Sequence, residues 1–392
     1  MRHPLDEENR PVLQAPVRRP IAALSPVQRA RKERHAARPF RSTDRGGAAR
    51  PASRAVSGLR PLAGLRVAEL DHSPALAVCG MYLAGLGAEL TDFAAAERGA
   101  DSALADYLGA DKRAAAEPFD PREAGAYDIL LCTRPPAELP AHVIAVVVSP
   151  FGRTGPRAGW QGGDFLAQAA SGLMSLIGDA DDAPLAMGGH QIEYTAGVAA
   201  FTATMVALRA RDRDGLGQIV ETSLFETAAY IEWKGRMYQQ AGNELRRGDR
   251  SGPIVTRCAD GYFGFYYREI DWPAILRVFG SARLSDPRFA THADRSANQD
   301  ELIAVLDELS RDLRRDELYR RLQAERVPVG PVFDAADLLG SPQYAERAFF
   351  TPLGGDGVRP ELPVTFNGAR SAGPPALPPH RPNDSVRGET SE

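Results

Sequence analysis

Residues 62–88 read LAGLRVAELDHSPALAVCGMYLAGLGA, and this stretch decides the fold. Its first nine residues alternate between apolar and other side chains over a short run, which predicts a strand. Residues 74–88 predict a helix whose small side chains let another backbone or a ligand come close. Gly87 supplies a C-terminal glycine signal at its end. The stretch therefore predicts the first strand-to-helix unit of an α/β layer.

More strands and helices alternate further along the chain. Residues 127–132 and 143–149 are continuous apolar runs bounded by turn residues, as expected of strands buried on both faces of a parallel sheet. A helix is predicted over residues 164–176. A strand over 219–224 then leads into a helix that runs to about residue 240. Strands that alternate with helices in this way predict the α/β fold class.

A smaller unit follows a polar, glycine-bearing stretch at residues 241–252, which we expect to be a mobile connection. This unit contains a predicted strand at 261–267, a helix at 272–279 and charged amphipathic helices over 298–325. Residues 327–332 form an extended segment, and a Pro-rich tail begins at about residue 371.

Composition describes an ordinary globular protein, because 43% of the 392 residues are hydrophobic and 25% are charged. No apolar run approaches the roughly 20 residues that span a bilayer, and the N-terminus lacks the apolar core of a signal peptide. We therefore expect a cytoplasmic protein with no membrane partner. The three cysteines fit no metal-ligand spacing, so they predict buried thiols and no metal site.

Residues 1–58 differ from the rest, because they are rich in Arg, Pro and Ala and poor in large apolar side chains. This composition predicts a disordered tail. The tail could contact nucleic acid or an acidic partner, or it could be an ordinary solvated segment, and the sequence leaves both open. Since the net charge is −4 and the basic residues gather in the tail, the folded body is acidic. An acidic body argues against a nucleic-acid-binding core.

The candidate chemical centre is residues 188–197, GGHQIEYTAG, a glycine-rich turn that opens a long apolar helix predicted to end at about residue 211. Glu193 falls at or just before the first helical turn. A helix N-terminus carries unpaired N–H groups and the positive end of the macrodipole, so a carboxylate there is held ionised. That arrangement suits a nucleophile. The alternative interpretation is that Glu193 only caps the helix and the glycines only make the turn.

The order of these pieces resembles the family III CoA-transferases, a group that includes carnitine CoA-transferases, formyl-CoA transferase and the α-methylacyl-CoA racemases. The resemblance covers about residues 60–353 and rests on six short motifs in order. They are LRVAEL at 65–70 with GMYLAGLGA at 80–88, SPFGRTGP at 149–156, QAASGLM at 168–174, GLGQ at 215–218, DPRF at 286–289, and VPVGPV at 327–332.

The resemblance implies that each chain has a Rossmann-like large domain and a smaller α+β domain. It also implies that two chains interlock as a homodimer. The large domain would span residues 59–240 and the small domain 241–326. Residues 327–370 would return to complete the large domain, and residues 371–392 would be a flexible tail.

The resemblance also implies a role for Glu193. In the family a catalytic Asp stands four residues before the helix glycine, and Glu193 stands four residues before Gly197. Glu193 would attack an acyl-CoA thioester and carry CoA as a covalent glutamyl thioester to a carboxylic acid. The N–H groups of Gly188, Gly189 or the helix start would stabilise the developing oxyanions. His190 would orient or donate to the carboxylate, or be structural only.

For CoA itself, the resemblance implies contacts from the strand-to-helix loop at Ala75, Leu76 and Ala77, and from three cations near the phosphates, namely Lys112, Arg113 and Arg134. Each cation could equally be a surface charge. Two other functions remain open. A racemase or epimerase is disfavoured because Gly163 stands where the racemases have a His, and a non-catalytic homologue that binds CoA esters is the other. The sequence leaves the acyl donor and acceptor unidentified.

Overall fold

The computed structural model describes residues 58–98, 103–242, 247–248, 253–353 and 357–371, all within a compact unit that spans Arg54–Glu392. The predicted N-terminal tail lies outside the described residues except for Gly58, and the predicted C-terminal tail lies outside them except for Ser371. Most of the predicted connection at 241–252 lies outside them as well. Within the described segments, no helix combines the length and the apolar character needed to cross a bilayer.

A six-stranded parallel sheet forms the first body of the chain. Its strands are β1 (Arg66–Glu69), β2 (Glu89–Asp92), β3 (Arg113–Ala114), β4 (Ile129–Cys132), β5 (Ile144–Ser149) and β6 (Ile219–Ser223). Their order is β3-β2-β1-β4-β5-β6, with every neighbouring pair parallel. This order reverses between β1 and β4, and in sheets of this kind ligands bind outside the carboxyl ends of the strands at such a point. The α/β, Rossmann-like architecture is confirmed.

Strand β2 was not predicted, because its sequence ELTD carries two acidic residues in four. The structure pairs it with β1 from Arg66↔Glu89 to Glu69↔Asp92. Glu89 is exposed, whereas Leu90 is buried in the core and Asp92 is also buried. A buried carboxylate in a short strand masks the apolar alternation from which strands are predicted.

The described residues of this body include six helices: α1 (Pro74–Gly85), α2 (Ala103–Gly109), α3 (Asp164–Ala170), α4 (Gln191–Asp214), α5 (Leu224–Ile231) and α6 (Trp233–Gln240). Helix α4 packs closely against α1 at Gly197. A Cβ atom at Gly197 would lie 2.5 Å from the Ala75 carbonyl oxygen and 2.7 Å from Cβ of Val78. This glycine is therefore required by the close approach of the two helices.

Two predicted helices are shorter than expected. Helix α3 ends at Ala170 because Gly172 adopts a φ of 93°, and a 3₁₀ turn at Leu173–Leu176 follows. The helix predicted to run from β6 to residue 240 is interrupted at Glu232. The side chain of Glu232 accepts a hydrogen bond from Gly235 N at 2.8 Å and so caps α6 as a separate helix.

The second body has its own hydrophobic core, built around Phe263, Phe265 and Phe289. Three antiparallel strands form its sheet in the order β7-β8-β9, and four helices cover it. The strands are β7 (Ile254–Cys258), β8 (Gly261–Phe265) and β9 (Val329–Val332), and the helices are α7 (Trp272–Phe279), α8 (His292–Ala297), α9 (Gln299–Ser310) and α10 (Arg315–Ala324).

The segment at 327–332 was predicted to return to the large domain, and for β9 this is wrong. Val329 pairs with Phe265 and Val332 with Tyr262, so the segment completes the sheet of the second body. The chain continues through α11 (Ala335–Leu339), α12 (Pro342–Glu346), β10 (Phe350–Pro352) and β11 (Val358–Pro360). It contacts the first body beyond β10, where Arg359 forms an ion pair with Asp111 at 2.9 Å and Ser371 Oγ donates to the Leu59 carbonyl.

Candidate active site

Glu193 lies in the first turn of α4, as the sequence predicted, and is 8% exposed. The N-terminal N–H groups of a helix need acceptors, and His190 at the N-cap position makes no side-chain capping bond. Asp164, the first residue of α3, supplies the acceptor instead. Its Oδ2 accepts from Ile192 N at 2.7 Å and from Glu193 N at 3.1 Å. A carboxylate from a different helix therefore caps α4 and fixes the backbone of Glu193.

Gln168 extends this support to the other end of the turn. Its Nε2 donates to Asp164 Oδ1 and to the Met187 carbonyl oxygen, and its Oε1 accepts from Met187 N at 2.8 Å. Asp164 and Gln168 together form what we call the α3 clamp. The clamp holds residues 187–193 at both ends. Its side chains form hydrogen bonds with the backbone of Met187, Ile192 and Glu193 and with each other.

The two carboxylates of this site, Asp164 and Glu193, differ in the number of hydrogen bonds that they accept. Asp164 accepts two backbone N–H bonds and one bond from Gln168, so both of its oxygens are engaged. Glu193 has one described polar contact, between its Oε2 and His190 Nδ1 at 2.5 Å. A protonated Nδ1 donates to the carboxylate there. Oε1 of Glu193 accepts no hydrogen bond from the described residues.

A cavity of about 450 Å³ opens in front of Glu193. Exposed apolar side chains of α3, Phe165 and Leu166, form one wall, and the turn of Gly189 and His190 forms another. The N-terminus of α4 and His190 Nδ1 lie beside the Glu193 carboxylate. The arrangement places a carboxylate oxygen next to a space large enough for an acyl group.

The turn also decides which N–H groups remain available. Those of Ile192 and Glu193 are taken by Asp164, so the predicted oxyanion role for the helix start does not hold for these two groups. Among the described residues, none accepts from the N–H of Gly188 or Gly189. Gly189 has a φ of 73°, in the region that favours glycine.

Ala75, Leu76 and Ala77 lie within the first turns of α1 and are at most 1% exposed, so they are not part of an open loop. The Ala77 carbonyl accepts from Lys112 Nζ at 2.9 Å. The same ammonium pairs with Glu69 Oε2 at 2.6 Å, and both side chains are buried. Lys112 was predicted to lie near CoA phosphates. The structure places it in the core, where a phosphate cannot reach it unless this ion pair breaks.

Arg113 and Arg134 are both exposed but lie in different places. Arg113 lies on β3 and lines a cavity of about 250 Å³ with Arg60 and Arg66. Arg134 follows β4 at the carboxyl end of the sheet. The preceding Thr133 is anchored there by bonds from its N–H and its hydroxyl to Asp71.

A larger cavity, of about 680 Å³, lies in the second body. Its most buried cation, Arg295, donates to the Phe289 carbonyl, pairs with Glu269 and stacks on Trp272 at 4.5 Å. These contacts are those of a core side chain, so cavity size alone does not locate the chemistry. In the described part of the chain, no three His, Cys, Asp or Glu side chains are grouped so as to hold a metal ion.

Sequence reasoning did not predict the α3 clamp, although both of its residues lie in the helix predicted over 164–176. Asp164 and Gln168 are four residues apart and so share a helix face, which is a signal that they act on one neighbour. Nothing in the local pattern identified that neighbour as the turn more than twenty residues later.

Comparison with known proteins identifies the family of the chain. A sequence model of CoA-transferase family III matches residues 136–383, more than half of the chain. The chain is 29% identical over 246 residues to the succinyl-CoA:(R)-benzylsuccinate CoA-transferase subunit BbsE of Thauera aromatica, covering 58% of this chain and 60% of that protein. It is 30% identical over 249 residues to the acetyl-CoA:oxalate CoA-transferase of Acetobacter aceti, covering 59% and 62%. The chain thus matches about 60% of the length of these curated relatives.

A solved structure matches a larger share of the chain. The crystal structure of a CaiB/BaiF family protein from Brucella suis aligns with a TM-score of 0.71 and 25% identity, covering 82% of this chain and 96% of that one. The family match begins after β4, whereas the structural match covers a larger share of the chain. The chain therefore belongs to CoA-transferase family III.

Proposed function

We propose that this protein moves CoA from an acyl-CoA thioester to a carboxylic acid and that Glu193 carries the CoA covalently. The observation that carries the proposal is the contrast between two adjacent carboxylates. Asp164 is saturated with hydrogen bonds, while Glu193 turns an oxygen without a described donor toward a cavity. The names of the relatives support the reaction class, since both are CoA-transferases.

A Glu193 oxygen attacks the thioester carbonyl carbon, a C–O bond forms, the C–S bond breaks and CoA leaves as the thiolate. The thiolate then attacks the glutamyl carbonyl of the mixed anhydride and releases the first acid as its carboxylate. The acceptor carboxylate attacks the resulting glutamyl–CoA thioester and expels the thiolate, which gives a second mixed anhydride. The thiolate finally attacks the acceptor's acyl carbon, which forms the new acyl-CoA and releases the Glu193 carboxylate. Covalent catalysis of this kind divides one difficult exchange into easier steps.

The surrounding residues have separable roles. His190 holds Oε2 of Glu193, and the α3 clamp fixes the backbone from which the carboxylate projects. The N–H groups of Gly188 and Gly189 donate to the oxyanion that develops on each tetrahedral carbon, where such donors are worth most. Because Glu193 is one methylene longer than the Asp of the family, the turn must bring a longer arm to the reacting carbon.

For CoA we propose that Arg134, which follows β4 at the carboxyl end of the sheet, pairs with a phosphate. Arg113 lines a separate cavity with Arg60 and Arg66, and residues 75–77 are buried, so the proposal gives them no contact with CoA. The relatives' names point to carboxylic acids of different size, because they contain succinyl-CoA with (R)-benzylsuccinate in one case and acetyl-CoA with oxalate in the other. Arg–phosphate pairing is a charge-assisted contact of the strong kind.

We further propose that the protein acts in the cytoplasm as an interlocked homodimer, with a large domain at 59–240 and a small one that begins at 241 and includes β9. Large apolar side chains on the surface of the first body support a partner chain. Tyr230 is 82% exposed and Val206 is 67% exposed, and exposed apolar surface of this kind marks interaction sites.

Substitution of Glu193 tests the function. Glu193→Gln removes the nucleophile without changing shape, so exchange from succinyl-CoA or acetyl-CoA to oxalate and other short acids should disappear while thermal unfolding stays unchanged. Glu193→Asp should retain activity that is about a hundredfold lower. The shorter side chain places the reacting oxygen about an ångström too far from the acyl carbon. The matched control is Glu226→Gln, an exposed glutamate in the first turn of α5, which should leave the rate unchanged.

Trapping separates the proposal from its rivals. Wild-type protein incubated with acyl-CoA should yield a CoA adduct on Glu193 that hydroxylamine or borohydride captures. Exchange of the acyl α-hydrogen for deuterium without an adduct would indicate a racemase, and binding without either would indicate a non-catalytic homologue. Full exchange activity in Glu193→Gln would show that another residue is the nucleophile.

A further inference from the structure

The two oxygens of Glu193 have different surroundings. Oε2 lies 2.5 Å from His190 Nδ1, whereas Oε1 has no hydrogen-bond donor among the described residues. Oε1 faces the start of α3. A Cβ atom added at Gly163, the N-cap residue of α3, would come 3.9 Å from Oε1 and would meet no other heavy atom within 4 Å. The space beside Oε1 is therefore open because residue 163 has no side chain.

The fold itself does not require a glycine at this position. Gly163 has a φ of −154° and a ψ of −163°, an extended conformation that any residue adopts. Other glycines of the chain are needed for close packing, as Gly197 is against α1, but a side chain at position 163 would enter the cavity and not the core. What a side chain there would alter is access to Glu193.

We propose that Oε1 is the attacking oxygen of Glu193 and that Gly163 determines how bulky the acyl group may be next to its carbonyl carbon. This inference rests on the proposed function of Glu193. For attack, the carbonyl carbon must come to about 3–3.5 Å from Oε1. A substituent on the neighbouring α-carbon then falls in the space that a β-carbon of residue 163 would fill.

The chemical class follows from this geometry. The open space accepts acids and thioesters with a substituent on the α-carbon, and the exposed Phe165 and Leu166 offer that substituent an apolar wall. A residue larger than glycine would restrict the enzyme to unbranched acyl groups. Gly163 is thus a specificity-determining residue, while Glu193 remains the residue that reacts.

Gly163 controls the first step, in which Glu193 attacks the thioester. Oε1 forms a bond to the acyl carbon as the C–S bond breaks, and Oε2 stays on the glutamyl carbon as its carbonyl oxygen. When the thiolate attacks that carbon, Oε1 leaves with the acid. His190 contacts Oε2 and so keeps its hold on Glu193 through both events.

The test compares wild type with Gly163→Ala and Gly163→Leu, and measures the glutamyl–CoA adduct formed from acetyl-CoA, propionyl-CoA and 2-methylpropanoyl-CoA without an acceptor. Gly163→Ala should load acetyl-CoA nearly as wild type does but lose at least about tenfold with the α-branched thioester. Gly163→Leu should lose loading with all three. The control Ala170→Leu adds the same side chain to α3 at an exposed position outside the cavity and should change nothing.

The outcomes separate this inference from the proposed function. Wild-type loading of the α-branched thioester by both Gly163 variants would overturn the role of Gly163 while leaving Glu193 as the nucleophile. Failure of wild type to load any of the three, or loading that survives Glu193→Gln, would overturn the proposed function itself. Thermal unfolding of each variant checks folding, and if Gly163→Leu fails to fold, Gly163→Ala still decides the question.

Discussion

Removing the α3 clamp is expected to damage the reaction more than the fold. Asp164→Ala deletes the acceptor for two backbone N–H groups, at 2.7 Å and 3.1 Å, and the bond from Gln168. Loss of a capping Asp costs about 1 kcal/mol, and a further hydrogen bond to a charged group adds about 1.5–3 kcal/mol. The expected loss is about 2.5–4 kcal/mol, which leaves most proteins folded at 25 °C.

The effect on rate follows from position. Without Asp164 the first turn of α4 is free to fray, and a shift of about 1 Å in the Glu193 carboxylate costs about a hundredfold in kcat. Since the side chains of the clamp bond to the turn and to each other, KM for acyl-CoA should change little. Asp164→Asn keeps one acceptor oxygen for the two N–H groups, so its kcat should fall between those of wild type and Asp164→Ala.

The assay is steady-state CoA exchange, measured beside thermal unfolding. The control is Asp334→Ala, which removes a capping Asp from α11, where Oδ1 accepts from Asp337 N at 2.9 Å. It should lose about 1 kcal/mol of stability with kcat intact. If Asp164→Ala loses stability but keeps the wild-type kcat, the clamp is structural only and the reasoning about Glu193 positioning is refuted.

Three further predictions concern the core of the first body. Gly197→Ala places a Cβ 2.5 Å from a carbonyl of α1 and should lower the free energy of unfolding by about 1–3 kcal/mol, whereas an unchanged melting midpoint would show that the helices can separate. Lys112→Met removes the cation beside the buried carboxylate of Glu69 and should cost about 3–5 kcal/mol, while a raised KM for CoA with normal stability would instead favour phosphate contact. Burial raises the pKa of Cys79 from 9.0 to about 12, so the thiol should resist alkylation at pH 8 until the protein unfolds. Because the unfolded thiol ionises first, stability should decline between pH 9 and 12 in denaturant titrations, and Cys79→Ala should reduce that decline.

The sequence predicted those elements whose local pattern matches their final environment. Strands β4 and β5 are buried along nearly their whole length and read as unbroken apolar runs. Helix α7 has the predicted bounds, Trp272–Phe279. Strand β2 was not predicted because Asp92 is a polar residue that is buried in the fold. Strand β9 was assigned to the wrong sheet because the sequence of an extended segment does not indicate which sheet it joins.

The candidate site was predictable only in part, for a related reason. A glycine turn before a helix pointed to Glu193, because both features are local. The capping of α4 by Asp164 joins residues 29 positions apart, and the burial of Lys112 depends on Glu69, 43 positions away. Such pairings arise from tertiary packing, so no periodicity or motif spacing could have predicted them.

The most direct test of the central claim follows an oxygen atom. When an acceptor carboxylate attacks glutamyl–CoA and the thiolate then takes the acyl group, one oxygen of the acceptor stays on Glu193. Turnover with an oxygen-18-labelled acceptor, using the donor and acceptor pair of fastest exchange, should therefore place the label in the Glu193 peptide, as read by mass spectrometry. Omission of the acyl-CoA donor should leave that peptide unlabelled. An unlabelled Glu193 after many turnovers that formed the new acyl-CoA would contradict the account.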